Sequence, residues 1–192
     1  DVLEQEGITV LYGIQNMKVH AKVCVIKKRE KNKTVQFGFV STGNLHEKTA
    51  RVYGDHCLLT SNRNVMADIN KIFQFLEYPE KGYGPLERCN TLMVSPISMR
   101  TGIEGLINHE IKQAKAGKKA AITIKLNSLS DVNLIKKLND AAVAGVTINM
   151  IVRGIFCALV NHKKFNARPR AISIVDEYLE HARVMIFYNG GK

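Results

Sequence analysis

Cysteine is scarce in this sequence, and the four that occur stand apart. None forms a Cys-x-x-Cys motif, which excludes the commonest zinc-binding and redox arrangements. Cys24 and Cys57 lie in apolar, strand-like runs, where a free buried thiol is the usual state. No disulfide framework is indicated by the positions of Cys89 and Cys157. A chain of this kind is expected in a reducing compartment, and we predict the cytoplasm.

Long apolar stretches are also missing. No run approaches the roughly 20 residues that a membrane-spanning helix needs, and no signal peptide is visible. The sequence begins with Asp1 instead of Met, close before one predicted strand, and it stops soon after another. We therefore expect this chain to be a fragment of a longer protein.

Acidic residues are few, especially in the second half. The net charge is +11, and residues 87–192 hold 16 Lys and Arg against 8 Asp and Glu. Such a balance favours an anionic partner: a nucleotide, polyphosphate, a nucleic acid or a membrane surface. The apolar fraction of 45% is sufficient for a hydrophobic core.

A His-x-Lys motif introduces one of the apolar runs. His20 and Lys22 stand directly before the β-branched run 23–26, which predicts a buried strand. Side chains two apart in a strand point to the same face, so an imidazole would lie beside an ammonium group. This pair suits nucleophilic attack on a phosphate with the charge neutralised alongside. By itself the motif is weak, because a chain so rich in basic residues contains such spacings by chance.

The motif recurs near the end of the chain. The segment 20–26 (HAKVCVI) and the segment 181–187 (HARVMIF) share the order His, Ala, base, Val and apolar residues. The repeat suggests two similar halves whose histidines, His20 and His181, face a shared site. The alternative is that both are strand starts with hydrogen-bonded core histidines.

Strands and helices alternate along both halves, which predicts an α/β fold with helices covering sheets. In residues 1–86 we predict strands at 7–12 and 35–40, a charged hairpin tip at 27–33, and a helix capped by Ser61. Residues 77–90 read as a linker. In residues 87–192 we predict strands at 91–94, 120–126, 146–152 and 171–175, and helices closed by Gly117 and Gly145. The predicted domains are therefore 1–86 and 87–192.

Three further positions suit phosphate or nucleotide binding. Asn44 ends a small polar turn after a strand, where backbone N–H groups and the amide can meet a phosphate; an ordinary turn fits equally well. Arg153 follows the buried strand 146–152, at the strand end where ligands gather in α/β sheets. Tyr53 lies close to Lys48 and Arg51 and can stack on a base.

Together these residues resemble the C-terminal catalytic region of bacterial polyphosphate kinases, whose two domains have a phospholipase D-like fold. The matching stretches follow the family's order over almost the whole chain: Lys18-Val-His-Ala-Lys22, Ser41-Thr-Gly-Asn44, Lys48-Thr-Ala-Arg-Val-Tyr53, Lys125-Leu-Asn-Ser-Leu129, Ile151-Val-Arg-Gly154 and the segment 171–183. The resemblance implies two phospholipase D-like α/β domains, each truncated in this fragment.

The resemblance also implies a reaction and its residues. The terminal phosphate of ATP would move reversibly onto inorganic polyphosphate through a phosphohistidine at His20. Tyr53, Arg153 and His181 match the family's ATP-contacting positions. Lys22 and Arg183 would add positive charge around the phosphates. His181 would bind the transferring phosphate or donate a proton to the leaving oxygen.

Further expectations follow from the same resemblance. The cofactor would be Mg²⁺. The family's magnesium-associated arginines lie upstream of His20 and outside this fragment, so we expect no metal ligand within it. The fragment alone would be inactive or nearly so. The full-length protein would bind ATP or ADP and polyphosphate, form a homo-oligomer, and associate peripherally with the inner membrane. The loop 156–170 is basic and aromatic here, unlike the Pro-, Gly- and Ser-rich loop of the family.

Two other functions remain open at this point. A phospholipase D-type phosphodiesterase or nuclease also uses paired His-x-Lys motifs, but it usually adds an Asp shortly after the Lys, and residues 24–29 contain none. A basic nucleic-acid-binding module would account for the charge, yet no recognisable reading helix or aromatic RNA platform accompanies it.

Overall fold

The computed structural model describes residues 2–175 and 177–191. The chain divides into two compact units: one comprises Asp1–Val40 and Leu58–Ser98, the other Ser41–Cys57 and Met99–Lys192. The helices are α1 Val2–Gln5, α2 Glu47–Ala50, α3 Arg63–Glu77, α4 Gly84–Glu87, α5 Met99–Lys115 and α6 Val132–Ala144. The strands are β1 Val23–Glu30, β2 Lys33–Ser41, β3 Cys57–Thr60, β4 Ala121–Leu126, β5 Thr147–Val152, β6 Arg170–Ile172 and β7 Val184–Phe187. The predicted α/β class is confirmed.

The first sheet has the order β1-β2-β3. β1 and β2 form an antiparallel hairpin in which Glu30 pairs with Lys33. The two residues between them, Lys31 and Asn32, have φ of 46° and 57°, as the tight turn of a two-residue hairpin requires. The predicted charged hairpin tip is therefore present. Helix α3 packs against this hairpin through a small buried cluster of Val65, Met66 and Ile69.

The start of α3 lies one residue beyond the predicted cap. Asn62, not Ser61, caps the helix, and its Oδ1 accepts hydrogen bonds from the N–H groups of Asn64 and Val65. The residues after α3 are not the linker that was predicted, because α4 buries Leu86 against Phe75 and neighbouring residues.

The segment 90–92 is held by a buried carboxylate instead of forming the predicted strand 91–94. Asp68 of α3 is only 2% exposed, and its Oδ2 accepts from the backbone N–H groups of Asn90, Thr91 and Leu92 at 2.7–3.0 Å. These N–H groups are thus unavailable to a neighbouring strand. Lys71 Nζ lies 2.7 Å from Asp68 Oδ1.

The second sheet has the order β6-β5-β4-β7. β4, β5 and β6 are parallel, and β7 runs antiparallel to β4. Residues alternate between buried and less buried along β4 and β5, and α5 and α6 contribute Ile107 and Leu138 to the core beneath them. Because β4 and β5 are parallel neighbours, their carboxyl ends lie side by side.

The ends of α6 are set by two different devices. Asp131, not the predicted Ser130, is the N-cap and accepts from the Leu134 N–H. The Arg100 guanidinium holds the pKa of this carboxyl at about 2, with the Leu134 N–H as a further cause. The predicted stop at Gly145 is confirmed: its φ is 96°, in the left-handed region that favours glycine.

Three other expectations need correction. Residues 7–12 form no strand, and Ile8 and Tyr12 are 50% and 76% exposed. A strand is stabilised by pairing of its N–H and C=O groups, and no described strand pairs with this segment. β1 is half-buried at its start and exposed from Ile26 onward, and is not a buried strand. Cys57 is exposed and Cys24 is half-buried, because β3 and β1 each leave a face open.

Candidate active site

His20 and Lys22 lie together in the first unit. Lys22 Nζ is 3.0 Å from each ring nitrogen of His20 and donates a hydrogen bond to its carbonyl oxygen at 3.1 Å. The predicted proximity of imidazole and ammonium is thus present. Its local origin differs from the prediction, because β1 begins only at Val23 and the motif precedes the strand. His20 is exposed, so an incoming phosphate has access to it.

The repeat in the sequence extends to secondary structure. His181 stands three residues before β7, which begins at Val184, just as His20 stands three residues before β1. Both histidines therefore lie in the segment that leads into a strand, and His20 is exposed whereas His181 is half-buried.

Tyr53 reaches His181 through a short parallel pairing of backbones within the second unit. The N–H of Leu179 donates to the Val52 carbonyl at 2.7 Å, and the N–H of Gly54 donates to the Leu179 carbonyl at 3.0 Å. This register places the half-buried Tyr53 ring edge-on to the His181 ring, with a centroid distance of 5.7 Å and an interplanar angle of 79°. An aromatic pair of this geometry is favourable.

Arg153 joins the same cluster from the carboxyl end of β5. Its Nη2 donates a hydrogen bond to Oδ1 of Asn127 and lies 3.3 Å from Nδ1 of His181. Its Nε is buried and has no hydrogen-bond partner among the described residues. An unpaired buried donor on a cation costs free energy unless a ligand satisfies it. A phosphate oxygen is the natural acceptor for a guanidinium N–H.

Lys125 fixes the backbone around His181. Its Nζ lies 2.9 Å from Oε2 of Glu180 and donates to the carbonyl of the fully buried Ala182 at 3.1 Å. The two contacts flank His181 in sequence and restrict the position of its backbone. Glu180, the carboxylate next to His181 in sequence, is thus ion-paired with a lysine.

The remaining two predicted ligands are exposed. Asn44 lies in the turn after β2, and its backbone carbonyl accepts from the His46 N–H at 2.8 Å. The preceding part of the turn is fixed by Thr42, whose Oγ1 donates to Asp55 at 3.1 Å. Arg183 immediately precedes β7. His181 therefore contacts both Tyr53 and Arg153, and Asn44 and Arg183 lie in the same unit.

The comparisons with known proteins identify the family of this chain. The family model "Polyphosphate kinase C-terminal domain 2" matches residues 92–192, and "Polyphosphate kinase C-terminal domain 1" matches residues 1–82. The chain belongs to the polyphosphate kinase family. The boundary that we predicted at 86/87 falls between these two matches and stays a prediction.

Individual relatives match over nearly the whole chain. The polyphosphate kinase of Vibrio parahaemolyticus is 44% identical over 191 residues, which are 99% of this chain and 27% of that protein. The polyphosphate kinase of Escherichia coli is 39% identical over 98% of this chain and 27% of its own length. The crystal structure of polyphosphate kinase from Porphyromonas gingivalis is similar with a TM-score of 0.85 and 35% identity, over 100% of this chain and 31% of that one. The chain thus spans about a quarter of the length of its curated relatives.

Two residues of the cluster were not predicted as site residues. Asn127 and Lys125 belong to a stretch that carries the resemblance to polyphosphate kinases, but their roles depend on side-chain contacts. A signal was present, because Asn127 directly follows β4 as Arg153 directly follows β5, and parallel strands end at the same edge of a sheet.

The side chains were also tested against the Mg²⁺ that polyphosphate kinase implies. Within residues 2–175 and 177–191, no three His, Cys, Asp or Glu side chains are grouped so as to hold a metal ion. The donor set of the cluster is cationic and amidic, which suits anions. These residues do not fit a magnesium site.

Proposed function

We propose that this chain is part of the catalytic region of a polyphosphate kinase, which transfers the terminal phosphate of ATP reversibly to inorganic polyphosphate. Family membership supports the proposal. The structural observation that carries it is Arg153, whose Nη2 contacts Asn127 and His181 while its buried Nε lacks a partner. A guanidinium held beside His181, whose ring packs edge-on against Tyr53, suits a nucleoside polyphosphate.

The covalent step is assigned to His20. A ring nitrogen attacks the terminal phosphorus of ATP, an N–P bond forms, and the bond from that phosphorus to the bridging oxygen breaks, so that ADP leaves with the electron pair. A terminal oxygen of polyphosphate then attacks the phosphohistidine and releases His20. Lys22, at 3.0 Å from the ring, offsets negative charge on the incoming phosphate and disfavours a second positive charge on the imidazole.

The nucleotide site is assigned to the cluster in the second unit. Tyr53 stacks on the adenine, Arg153 grips phosphate oxygens, and His181 binds the transferring phosphate or donates a proton to the leaving oxygen. Asn44 and Arg183 are exposed in the same unit and add an amide and a positive charge for the phosphates.

The remaining parts of the proposal come from the resemblance. Mg²⁺ would accompany the nucleotide phosphates and reduce their negative charge. The full-length enzyme would form homo-oligomers, act in the cytoplasm and associate peripherally with the inner membrane. Among the described residues, no helix is long and apolar enough to cross a membrane.

The experiment labels the phosphohistidine in a full-length polyphosphate kinase that contains this chain. After brief reaction with γ-labelled ATP and quenching in base, wild type should carry acid-labile, base-stable label. His20→Ala should abolish the label. His181→Ala should slow its appearance without moving it to another residue.

A third histidine provides the control. His162 also stands two before a lysine, Lys164, so His162→Ala should label like wild type. Label that persists in His20→Ala and vanishes in His181→Ala would reverse the two roles. The product should be digested by a polyphosphatase and resist nuclease, whereas a nuclease or nucleic-acid-binding protein would make no such product.

A further inference from the structure

Asn127 connects the end of β4 to the Arg153–His181 pair. Its Oδ1 accepts a hydrogen bond from Nη2 of Arg153, and the same Nη2 lies 3.3 Å from Nδ1 of His181. Each terminal guanidinium nitrogen carries two hydrogens. Asn127 and His181 therefore take one each, and the three side chains form a continuous hydrogen-bond chain.

This hydrogen-bond chain determines which ring nitrogen of His181 carries the proton. A guanidinium has donors only, so Nδ1 of His181 must be the acceptor. A neutral imidazole whose Nδ1 accepts carries its proton on Nε2. A doubly protonated ring would lose this acceptor and would place a second positive charge against Arg153.

The backbone explains why Asn127 is suited to this task. Leu126 pairs with Val152 in the β4–β5 ladder, and the N–H of Gly154 donates to the Asn127 carbonyl at 2.7 Å. The ends of the two strands are thus locked together. The half-buried Asn127 side chain is short, so the fixed backbone also fixes the position of the amide that contacts the guanidinium.

We infer that Asn127 is a positioning residue that fixes Arg153 and, through it, holds the ring proton of His181 on Nε2, where the N–H can donate a hydrogen bond to a phosphate oxygen. The identity of that ligand rests on the proposed function. The hydrogen-bond chain exists in the ligand-free protein and is testable without a substrate. It also assigns His181 as a hydrogen-bond donor at Nε2, leaving the nucleophile to His20.

The first measurement is the tautomer of His181 in the ligand-free chain, from two-bond ¹H–¹⁵N correlation spectra of the imidazole rings. His181→Gln identifies the signals. Wild type should show the Nε2–H pattern. Asn127→Ala should give a mixture of tautomers, because the released guanidinium no longer faces Nδ1, whereas Asn127→Asp should retain the pattern, because it keeps an acceptor oxygen.

Asn133→Ala is the matched control. Asn133 is exposed on the first turn of α6, and this variant should keep the wild-type tautomer. If Asn127→Ala does not fold, Asn127→Ser replaces it, since its hydroxyl is too short to reach the same point. An unchanged Nε2–H pattern in the folded Ala or Ser variant overturns the inference.

The second measurement is steady-state kinetics in the full-length enzyme. Asn127→Ala should lower kcat by about tenfold or more, the scale of a misplaced catalytic contact. Asn127→Asp should chiefly raise the KM for ATP, because its carboxylate neutralises the Arg153 charge that attracts phosphate. Equal kinetics for both variants and wild type would also overturn the inference. Failure of wild type to make polyphosphate would contradict the proposed function instead, and the tautomer comparison would still decide the role of Asn127.

Discussion

Asp68 and Arg153 are charged side chains that differ in how completely their buried atoms are hydrogen-bonded. Both oxygens of Asp68 are occupied, one by Lys71 and the other by three backbone N–H groups. Arg153 keeps a buried Nε without a partner in the described part of the chain. A buried ion whose hydrogen-bonding capacity is filled is costly to break, whereas a buried donor without a partner is one that a ligand can satisfy. This difference supports the proposal that Arg153 belongs to a binding site, whereas Asp68 holds the segment 90–92.

Replacement of Tyr53 tests the nucleotide site. If the ring stacks on adenine, Tyr53→Ala should weaken ATP binding by about 1–3 kcal/mol, the usual scale for base stacking. Tyr53→Phe should largely preserve binding. Calorimetric titration of the full-length enzyme with ATP measures the difference, and Tyr178→Ala, which removes a 52% exposed ring of the same unit, is the control. Equal damage from Ala and Phe would point to the hydroxyl instead.

The Asp68 carboxylate gives a pH prediction. Burial acts to raise its pKa, but hydrogen bonds from Lys71 and from the Leu92 and Thr91 N–H groups outweigh it, so the pKa is lowered. The stabilisation is therefore complete above the unfolded-state pKa of about 3.9 and is lost as the pH falls through the folded-state pKa. Asp68→Asn should flatten the loss of unfolding free energy over this acidic range.

The same site has a stability prediction at neutral pH. Asp68→Ala removes one partner of a buried pair and should cost about 3–5 kcal/mol of unfolding free energy. Urea denaturation measures both effects. The carboxylate would be dispensable if Asp68→Ala were as stable as wild type. The same conclusion would follow if Asp68→Asn lost as much unfolding free energy at acidic pH as wild type does.

The elements that carry the proposed nucleotide site are the parallel strands β4 and β5. Their pairing ends at Leu126 and Val152, and the next residues turn toward each other: the Arg153 N–H donates to the Leu126 carbonyl at 3.2 Å. Gly154 permits this approach, because a Cβ on it would lie 2.9 Å from the Asn127 carbonyl oxygen. The function of this edge therefore depends on a close contact between two backbones.

Gly154→Ala should consequently weaken ATP binding and lower the melting temperature, because the new methyl group meets a backbone atom that moves only with its strand. Gly105→Ala is the matched control. Gly105 lies within α5 and a Cβ there has no neighbour within 4 Å. It should raise stability by up to about 1 kcal/mol, the helix-propensity difference between the two residues. The prediction is wrong if both variants change stability in the same direction.

The whole molecule has two sheets in two compact units and a strongly basic surface. Residues 41–57 come early in the chain but cluster with Met99–Lys192, which is why Tyr53 lies with residues more than a hundred positions away. The charge excess of residues 87–192 is concentrated in the sequence of this second unit. A basic surface of this kind attracts a polyanion over a longer range than a single phosphate contact does.

The binding of polyphosphate should therefore depend strongly on salt. Each neutralised phosphate on a flexible polyanion contributes a slope of about −0.7 in a plot of log affinity against log salt concentration. Titration of the chain at several salt concentrations should give a steeper slope for polyphosphate than for ATP, which offers fewer phosphates. Equal slopes would mean that only a local site, and no extended basic surface, binds the polymer.

The sequence by itself determined the α/β class, the helices α3, α5 and α6, the hairpin tip and the Gly145 stop. These features depend on local periodicity, capping and turn chemistry, which are visible within a few residues. It also determined the family through motifs in a fixed order. The His20–Lys22 proximity was foreseen too, since it joins residues only two apart.

Only the tertiary structure decided the rest. Residues 91–94 read as a strand, but a carboxylate from α3 accepts hydrogen bonds from the N–H groups of Thr91 and Leu92. Asn127 contacts Arg153 because two parallel strands end side by side, and Tyr53 contacts His181 because Leu179 pairs with the backbone beside Tyr53. The physical reason is the same in each case. A hydrogen bond between distant residues depends on which segments pack together, and one side chain can override the local preference of another segment.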